Sequence, residues 1–325
     1  MFLNVQSDYG KISKMYEFVK YINHYTIELM EERKKLICIV GPTATGKSDI
    51  AVYIAQKFDG EIISADSRQV YKGMNLGTGK ITKKEMQNIS HHIIDITNPK
   101  NTFSAGKFQK MGFKIIRNIW KKNKIPIICG GTGFYISTLV DGLSLPDVKQ
   151  NTQLRKSLNK KTTQELFSIL KKIDSRRAKN IDKKNPHRLI RAIEIVQELG
   201  GVPKIHKNPI DADILFIGIK KEKEELKKRI HIRLLKRMKQ GMISEIQKLY
   251  DSGISWKRLE SFGLEYKYGA LYLQKKLSKE EFLEQLEQAI IQYAKRQITW
   301  FKKDTRIVWV DNKEKALHLT KRFLK

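Results

Sequence analysis

The sequence predicts an α/β fold, in which a parallel sheet flanked by helices is built around a phosphate-binding loop and carries an inserted all-helical domain. Three observations support this prediction. Short apolar segments rich in Ile and Val alternate with helical stretches, a pattern typical of parallel sheets. A Gly-x-x-x-x-Gly-Lys-Ser motif occupies residues 41–48, between one such segment and a helix. Residues 144–204 are helical and basic and contain no candidate strand.

Residues 1–35 precede the first candidate strand and are predicted to form an N-terminal helical extension. The spacing of Phe18, Ile22, Tyr25 and Leu29 predicts a helix of mixed charge over residues 16–35. No residue there points to chemistry. The segment is either a docking helix or an artefact of the assigned translation start.

Residues 36–143 and 205–325 are predicted to form one P-loop core, the second part ending in basic helices. Helical stretches separate most of its candidate strands. In such a sheet ligands bind at the carboxyl ends of the strands, so the residues just after each strand are the candidates for function. The candidate strands are residues 36–40, 61–65, 93–96, 125–129, 213–219 and 307–310.

The P-loop motif has the context that a phosphate site requires. A short β-branched segment precedes it, and apolar residues at helical spacing follow it. The loop and the helix start would aim backbone N–H groups at a phosphate, Lys47 would neutralise it, and the Ser48 hydroxyl would bind Mg²⁺. A chance glycine turn is the alternative. The predicted diphosphate contacts in the loop are Thr43, Ala44, Thr45, Gly46, Lys47 and Ser48.

Two further loops follow candidate strands and should face the P-loop. Asp66 opens the first, which continues through a glycine-rich segment to residue 80. Thr132 lies in a second glycine turn, at residues 130–135. Either residue could instead simply cap the next helix. Their position at the ligand-binding edge of the sheet favours a functional role.

Residues 144–204 are predicted to be a helical insertion that binds nucleic acid. An amphipathic stretch covers residues 163–173, and Asn185-Pro186 is a typical helix start, with Gly200-Gly201 as the end. The second helix is predicted to place His187, Arg188 and Arg191 on its polar face and to direct Leu189 and Ile190 inward. A solvated charged face is the alternative.

Two long helices follow the fifth candidate strand. The first, at residues 222–238, carries Arg229, Arg233 and Arg237 at intervals of four, so that they form one stripe suited to phosphate. The last predicted helix, at residues 280–301, ends with basic residues around Trp300 and Phe301. That end either holds RNA or packs into the core.

Composition favours a polyanionic partner. The chain of 325 residues has 64 Lys and Arg against 34 Asp and Glu, a formal net charge of +30. The alternative explanation of this charge is a compositional bias toward Lys that has no functional cause. The 2 Cys lie in apolar segments and predict a reducing compartment. Without an apolar run of membrane-spanning length or a secretory signal, we expect a cytoplasmic protein that does not bind membranes.

These residues leave the class of enzyme open. No guanine-reading Asn-Lys-x-Asp motif is present, which argues against a GTPase. A small-molecule kinase and a transferase with a phosphate leaving group both remain. The basic charge favours an acceptor embedded in nucleic acid.

Several blocks, in order from residue 36 to the C-terminus, resemble the tRNA dimethylallyltransferase family. They are the P-loop, the run from Ile63 to Lys80, His91-His92-Ile93-Ile94-Asp95, residues 130–135, and Ala294 to Phe301. The resemblance implies transfer of the dimethylallyl group from dimethylallyl diphosphate to N6 of adenosine 37, in tRNAs that read codons beginning with U. It also implies Mg²⁺ and the tRNA anticodon stem-loop as partner. We expect a monomer.

The resemblance also implies roles for residues at matching positions. Asp66 would be the general base that meets the adenine amine, and Thr132 would bond the bridging oxygen of the leaving group. Arg233 would bind the diphosphate, with Arg229 as the alternative one turn away. The implied tRNA contacts are Asp66, Ser67, Arg68, Gln69, Thr132, Arg155, His187, Arg188, Leu189, Ile190 and Arg191.

The chain departs from the family pattern at residues 260–266. The family often has Gly-Tyr followed by Lys or Arg there, whereas here Gly263 is followed by Leu264. This puts tRNA contacts of that segment in doubt. Two rival functions are an adenylate isopentenyltransferase acting on a free nucleotide and a P-loop small-molecule kinase.

Overall fold

The computed structural model describes residues 33–325, which contain a parallel six-stranded sheet with helices on both faces. The strand order is β3-β2-β4-β1-β5-β6, and every neighbouring pair is parallel. This confirms the predicted fold class. The strands are β1 (Lys35–Val40), β2 (Gly60–Ser64), β3 (His91–His92), β4 (Ile125–Gly130), β5 (Asp213–Ile219) and β6 (Ile307–Val310).

Alternate residues of the central strands pack into two hydrophobic clusters, one on each face of the sheet. Leu36 and Cys38 of β1 join one cluster, and Ile37 and Ile39 join the other. Four further helices belong to residues 144–204. The helices of the core are α1 (Lys47–Lys57), α2 (Lys83–Met86), α3 (Ala105–Lys121), α4 (Gly133–Val140), α9 (Lys223–Lys239), α10 (Met242–Asp251), α11 (Trp256–Glu260), α12 (Leu264–Leu273), α13 (Lys279–Phe301) and α14 (Lys313–Leu324).

The third strand lies at residues 91–92, so its prediction at residues 93–96 was wrong. Ile93 and Asp95 have φ angles of 62° and 54°, which strands do not adopt. The chain leaves the sheet there, and the N–H groups of Ile96 and Thr97 donate to the carbonyl of Val70. A local apolar pattern does not reveal such a left-handed turn.

The two ends of the chain also differ from prediction. The predicted helix at residues 16–35 lies, up to residue 32, outside the described residues, and Lys35 opens β1 instead of ending a helix. Helix α14 follows β6, so residues 280–301 are not the last helix. None of the helices in residues 33–325 has both the length and the apolar composition needed to span a bilayer.

One carboxylate of α10, that of Glu245, holds the glycine-rich loop after β2 in place. Glu245 accepts the backbone N–H groups of Asn75, Leu76 and Gly77 at 2.8–3.0 Å, and the Tyr266 hydroxyl at 2.7 Å. On its other side the buried ammonium of Lys80 donates to Asp95. Because its donors and acceptors are satisfied at both ends, this loop has a defined conformation beside the sheet.

Residues 144–204 carry four helices with a hydrophobic cluster of their own. They are α5 (Thr152–Leu158), α6 (Thr163–Ile173), α7 (Ser175–Lys179) and α8 (Pro186–Leu199). Leu166, Leu170 and Ile193 are fully buried in this cluster. The chain enters and leaves it side by side, since Leu143 pairs with Lys207 and the Ser144 N–H donates to the His206 carbonyl.

A buried carboxylate ties the insertion together. Glu194 of α8 is 2% exposed and accepts two hydrogen bonds from Arg155, at 2.9 and 2.8 Å, and one from Arg191, at 2.5 Å. Burial by itself raises the pKa of Glu194, but these bonds and the N–H of Asn151 outweigh it and lower the pKa to about 2.

We expect Glu194→Gln to destabilise the insertion by about 3 kcal/mol at neutral pH, since it leaves two guanidiniums without their counter-charge. The folded-state pKa of Glu194 lies below its unfolded value, so its contribution is complete above about pH 5 and declines as pH falls toward 2. The difference between variant and wild type should therefore narrow by about 1 kcal/mol at pH 4. Urea unfolding followed by circular dichroism measures this difference in the free energy of unfolding. An equal difference at both pH values would contradict the assignment.

Candidate active site

A cavity of about 380 Å³ lies at the carboxyl ends of β1, β2 and β4. The P-loop, the loop after β2 and the glycine turn after β4 form one side of it. Helices α9, α12 and α13 contribute Arg233, Glu265 and Gln297 to the other. This is the edge where the sequence placed the ligand.

The P-loop adopts a tight turn that only a few residue types allow. Gly41 and Gly46 have φ angles of 142° and 86°, and Ala44 has 65°. Gly46 caps α1 without a side-chain bond, so the first N–H groups of that helix remain available to an anion. Thr45 is buried and donates its hydroxyl to the Pro42 carbonyl, which makes its side chain part of the loop rather than of the cavity.

Thr43, Lys47 and Ser48 line the cavity. Burial, and less strongly the nearby charge of Arg233, lower the pKa of Lys47 to about 8, while Cys129 and Asp66 oppose the change. A cation whose charged form is disfavoured by its surroundings gains stability when an anion binds beside it. Lys47 is therefore well placed to bind a phosphate.

Asp66 lines the cavity and uses one carboxylate oxygen to order the loop that comes after it. Its Oδ1 accepts the N–H of Arg68 at 2.8 Å and that of Gln69 at 3.4 Å. Its Oδ2 accepts no hydrogen bond from residues 33–325. Asp66 thus caps a turn, and not the next helix as the alternative explanation proposed, and it still offers a second oxygen to a donor in the cavity.

Thr132 faces the same cavity but does not cap α4. Its side chain makes no capping bond to that helix, and its Oγ1 accepts the N–H of Ser67 at 3.1 Å. Because that bond uses an oxygen lone pair, the hydroxyl proton is free to be donated. Ser67, Arg68 and Gln69 also line the cavity, and Gln69 donates to the Gly79 carbonyl at 3.3 Å.

Arg233 and Arg229 occupy different surroundings. Arg233 lines the cavity, and its Nη1 donates to the Thr43 hydroxyl at 3.3 Å. Arg229, one turn earlier on α9, pairs with Glu225 at 2.8 Å and does not line the cavity. The arginine within reach of an anion at the P-loop is therefore Arg233.

Sequence reasoning missed Gln297 of α13 as a site residue. Its Oε1 accepts the Thr43 N–H at 2.8 Å, and its Nε2 donates to the Gly131 carbonyl at 3.0 Å. Gln297 thus joins the P-loop to the glycine turn. Gln297 lies in the family block from Ala294 to Phe301, but its neighbouring residues do not indicate which loops its side chain reaches. Arg237, Tyr293 and Arg296 also line the cavity.

The predicted contact residues of the insertion lie outside the cavity, which no residue between 134 and 232 lines. His187 and Arg188 are exposed at the start of α8. Arg155 and Arg191 pair with Glu194, so they are not the free polar-face cations that the sequence suggested. Leu189 and Ile190 are buried, as their apolar spacing predicted, and only their backbone can reach a partner.

The segment that departs from the family pattern lines the cavity from Phe262 to Tyr266. Glu265 pairs with Arg237 at 3.0 Å, and Tyr266 bonds Glu245. Trp300 is 42% exposed and lies against Gly133, whereas Phe301 packs into the core, and an RNA contact at this helix end stays a prediction.

The donors in the cavity suit a hard cation that is bound together with a phosphate. Mg²⁺ in phosphate sites takes only one or two protein oxygens and completes its shell with phosphate and water. Ser48 is exposed at the start of α1 and lines the cavity together with Asp66. Residues 33–325 hold no cluster of three His, Cys, Asp or Glu side chains that could bind a metal ion.

Comparison with known proteins places the chain in a family. A family model described as IPP transferase matches residues 69–304. A protein named tRNA dimethylallyltransferase 2 from Treponema denticola is 42% identical over 290 residues, which cover 86% of this chain and 97% of that protein. Another, tRNA dimethylallyltransferase 1 from Syntrophus aciditrophicus, is 40% identical over 287 residues, covering 86% and 94%.

Solved structures agree with the sequence relatives. A full-length tRNA isopentenylpyrophosphate transferase from Bacillus halodurans superposes with a TM-score of 0.67 at 34% identity, over 90% of this chain and 96% of that one. A eukaryotic dimethylallyltransferase described as acting on tRNA gives a TM-score of 0.74 at 25% identity, over 90% and 79%. With most of its length matched in sequence and in fold, the chain belongs to the IPP transferase family.

Proposed function

We propose that the protein transfers the dimethylallyl group of dimethylallyl diphosphate to N6 of adenosine 37, in tRNAs that read codons beginning with U. One observation carries the proposal: a carboxylate oxygen of Asp66 without a partner faces the same small cavity as Lys47, Arg233 and the P-loop. This arrangement holds an anionic leaving group and a proton acceptor on either side of one reaction centre. The names of the relatives, tRNA dimethylallyltransferases, support the choice of substrates.

The leaving group is the diphosphate. The N–H groups of residues 44–48, together with Lys47 and Arg233, would bind its oxygens, because helix N-termini and cations stabilise charge that grows as the C–O bond breaks. Mg²⁺, bound by Ser48 and the diphosphate, would supply further positive charge there. The Thr132 hydroxyl donates to the bridging oxygen, where the negative charge develops first.

The nucleophile is the exocyclic amine of adenine. Its nitrogen forms a bond to the first carbon of the dimethylallyl group, and the C–O bond to diphosphate breaks with its electron pair. The amine then loses a proton, which Oδ2 of Asp66 accepts while Oδ1 stays bonded to the N–H of Arg68. Ser67, Arg68 and Gln69 surround the place where the base must enter. The adenine must leave its stack to reach it.

The insertion would grip the anticodon stem-loop. Residues 144–204 contain far more Lys and Arg than Asp and Glu, and His187 and Arg188 are exposed at the start of α8. None of these residues lines the cavity, so the insertion would contact the tRNA away from the diphosphate. A tRNA substrate agrees with a cytoplasmic protein, and the monomeric state stays a prediction.

The decisive experiment is incubation of the protein with labelled dimethylallyl diphosphate, Mg²⁺ and an unmodified tRNA that carries adenosines at positions 36, 37 and 38, followed by nucleoside analysis. We expect label in N6-(dimethylallyl)adenosine from position 37. A tRNA with guanosine at position 37 is the matched control. Label transferred to AMP but not to tRNA would support the adenylate isopentenyltransferase instead, and phosphate release from ATP would support the kinase.

Asp66→Asn should lower turnover roughly a hundredfold or more, the usual scale for loss of a general base. The amide oxygen can still accept the N–H of Arg68, so the loop should keep its conformation and both substrates should bind as before. Single-turnover kinetics with saturating tRNA and dimethylallyl diphosphate measure the effect. Unchanged turnover would remove Asp66 from the mechanism.

Exchange of both Lys184 and Arg188 for alanine should weaken tRNA binding and reduce its salt dependence by about one to two units of slope, one for each tRNA phosphate that the variant no longer neutralises. Both side chains are exposed, whereas Arg191 would also unpair Glu194 and is unsuitable. Exchange of Lys321 and Arg322, exposed on α14, is the charge-matched control.

In the same salt titration, Lys47→Ala should lose dimethylallyl diphosphate while it keeps most of its tRNA affinity. Equal losses of tRNA binding in the insertion variant and in the α14 control would mean that the insertion is only a solvated basic surface.

A further inference from the structure

Arg237 of α9 is a buried cation at the cavity with unused hydrogen-bonding capacity. It lies one turn after Arg233, is 7% exposed and lines the cavity. Its Nη1 donates to Glu265 at 3.0 Å. Its Nη2 is buried and has no hydrogen-bond partner within residues 33–325. A charged donor in this state is unfavourable unless a ligand completes it.

The positive charge of Arg237 also repels that of Arg233. Like charges four residues apart on a helix repel each other. Burial, and next the charge of Arg237, lower the pKa of Arg233 to about 10. Glu265 offsets only one of the two charges. The helix therefore holds an arrangement of two guanidiniums that an anion between them would stabilise.

Gly79 shows that the two guanidiniums converge on one point. A Cβ atom on this glycine would lie 1.5 Å from Nη2 of Arg237 and 2.1 Å from Nη2 of Arg233. Any larger residue would occupy the space that both groups use, and the φ angle of Gly79, 58°, also favours glycine. Both Nη2 atoms thus lie against the same bare stretch of the loop, at the wall of the cavity.

We propose that Arg237 binds the diphosphate together with Arg233, with its Nη2 donating to a phosphate oxygen. This inference rests on the proposed function and adds a second arginine to it. Guanidinium groups suit phosphate because they donate parallel hydrogen bonds to two oxygens. The cavity also has the charge for this ligand: among its described lining residues, cations exceed acids, with Lys47, Arg68, Arg233, Arg237 and Arg296 against Asp66 and Glu265.

The competing explanation is that Arg237 serves only as the partner of Glu265 and holds α9 to α12. The two explanations predict different diphosphate affinities once both members of the pair are neutralised. Arg237→Met with Glu265→Gln removes the ion pair without leaving an unpaired buried charge. A purely structural pair would then leave diphosphate binding intact.

The test is calorimetric titration with inorganic diphosphate in the presence of Mg²⁺, on the full chain. We expect the double variant to bind diphosphate about 10- to 100-fold more weakly than wild type, the range for one lost hydrogen bond between charged groups. Arg229→Met removes the same charge one turn before Arg233, at a residue outside the cavity, and should bind diphosphate within about twofold of wild type.

Two further measurements keep the result unambiguous. Arg237→Lys retains the charge and fits the fold, and we expect it to weaken diphosphate binding less than the double variant, because an ammonium cannot keep both Glu265 and a phosphate in fork geometry. In prenyl transfer, the KM for dimethylallyl diphosphate should rise in the double variant, while the KM for tRNA stays within about twofold of wild type, because Arg237 lies away from the insertion.

The outcomes separate this inference from the function on which it rests. Wild-type affinity for diphosphate in both the double variant and Arg237→Lys would overturn the role of Arg237 and leave the proposed function standing. A wild-type protein that binds no diphosphate and transfers no prenyl group would overturn both. A loss in Arg229→Met equal to that in the double variant would show a general charge effect and would also overturn the role of Arg237.

Discussion

Three neighbouring parallel strands, β1, β2 and β4, end at the same level of the sheet, and the rest of the molecule depends on this constraint. Val40 of β1 lies beside Gly130 of β4, and Ser64 of β2 lies beside Cys129. The segments after these strands therefore start at the same edge and are forced into contact. The approach is so close that a Cβ atom on Gly130 would lie 2.3 Å from the carbonyl oxygen of Ala65. The N–H of Thr132 donates to that same oxygen, at 3.1 Å.

Positive charge is the second property that organises this edge. A helix N-terminus, a lysine and several arginines surround a cavity with only two acids among its described lining residues, and burial disfavours the charged form of Lys47 and Arg233. The surrounding structure fixes this charge in place instead of neutralising it. Glu245 fixes the loop that carries Gly77 and Gly79, Gln297 bridges two loops, and Glu265 orients Arg237.

The insertion and the cavity use arginines for different purposes. In residues 144–204, Arg155 and Arg191 surround one buried carboxylate and stabilise a small helical cluster. In the cavity, the arginines have few acids to pair with and are suited to an anionic ligand. The difference is set by the number of carboxylates that lie near each arginine in the folded chain.

The sequence by itself determined the fold class, the P-loop and the edge at which Asp66 and Thr132 lie, because strand periodicity and glycine motifs are local and a parallel sheet always gathers its carboxyl ends. It also located the ends of α6 through its amphipathic pattern, and the ends of α8 through its Asn185-Pro186 start and its terminal Gly200. It placed the third strand wrongly and left Arg229 and Arg233 as alternatives.

Only the tertiary structure decided which arginine of the α9 stripe faces the cavity, that Arg155 is bound to Glu194, and that Gln297 reaches Thr43. These contacts join residues far apart in the chain, or depend on the rotation of a helix about its axis. A periodic pattern of charges shows that a stripe exists. The packing of that helix against α13 and the P-loop decides which of its members meets the ligand.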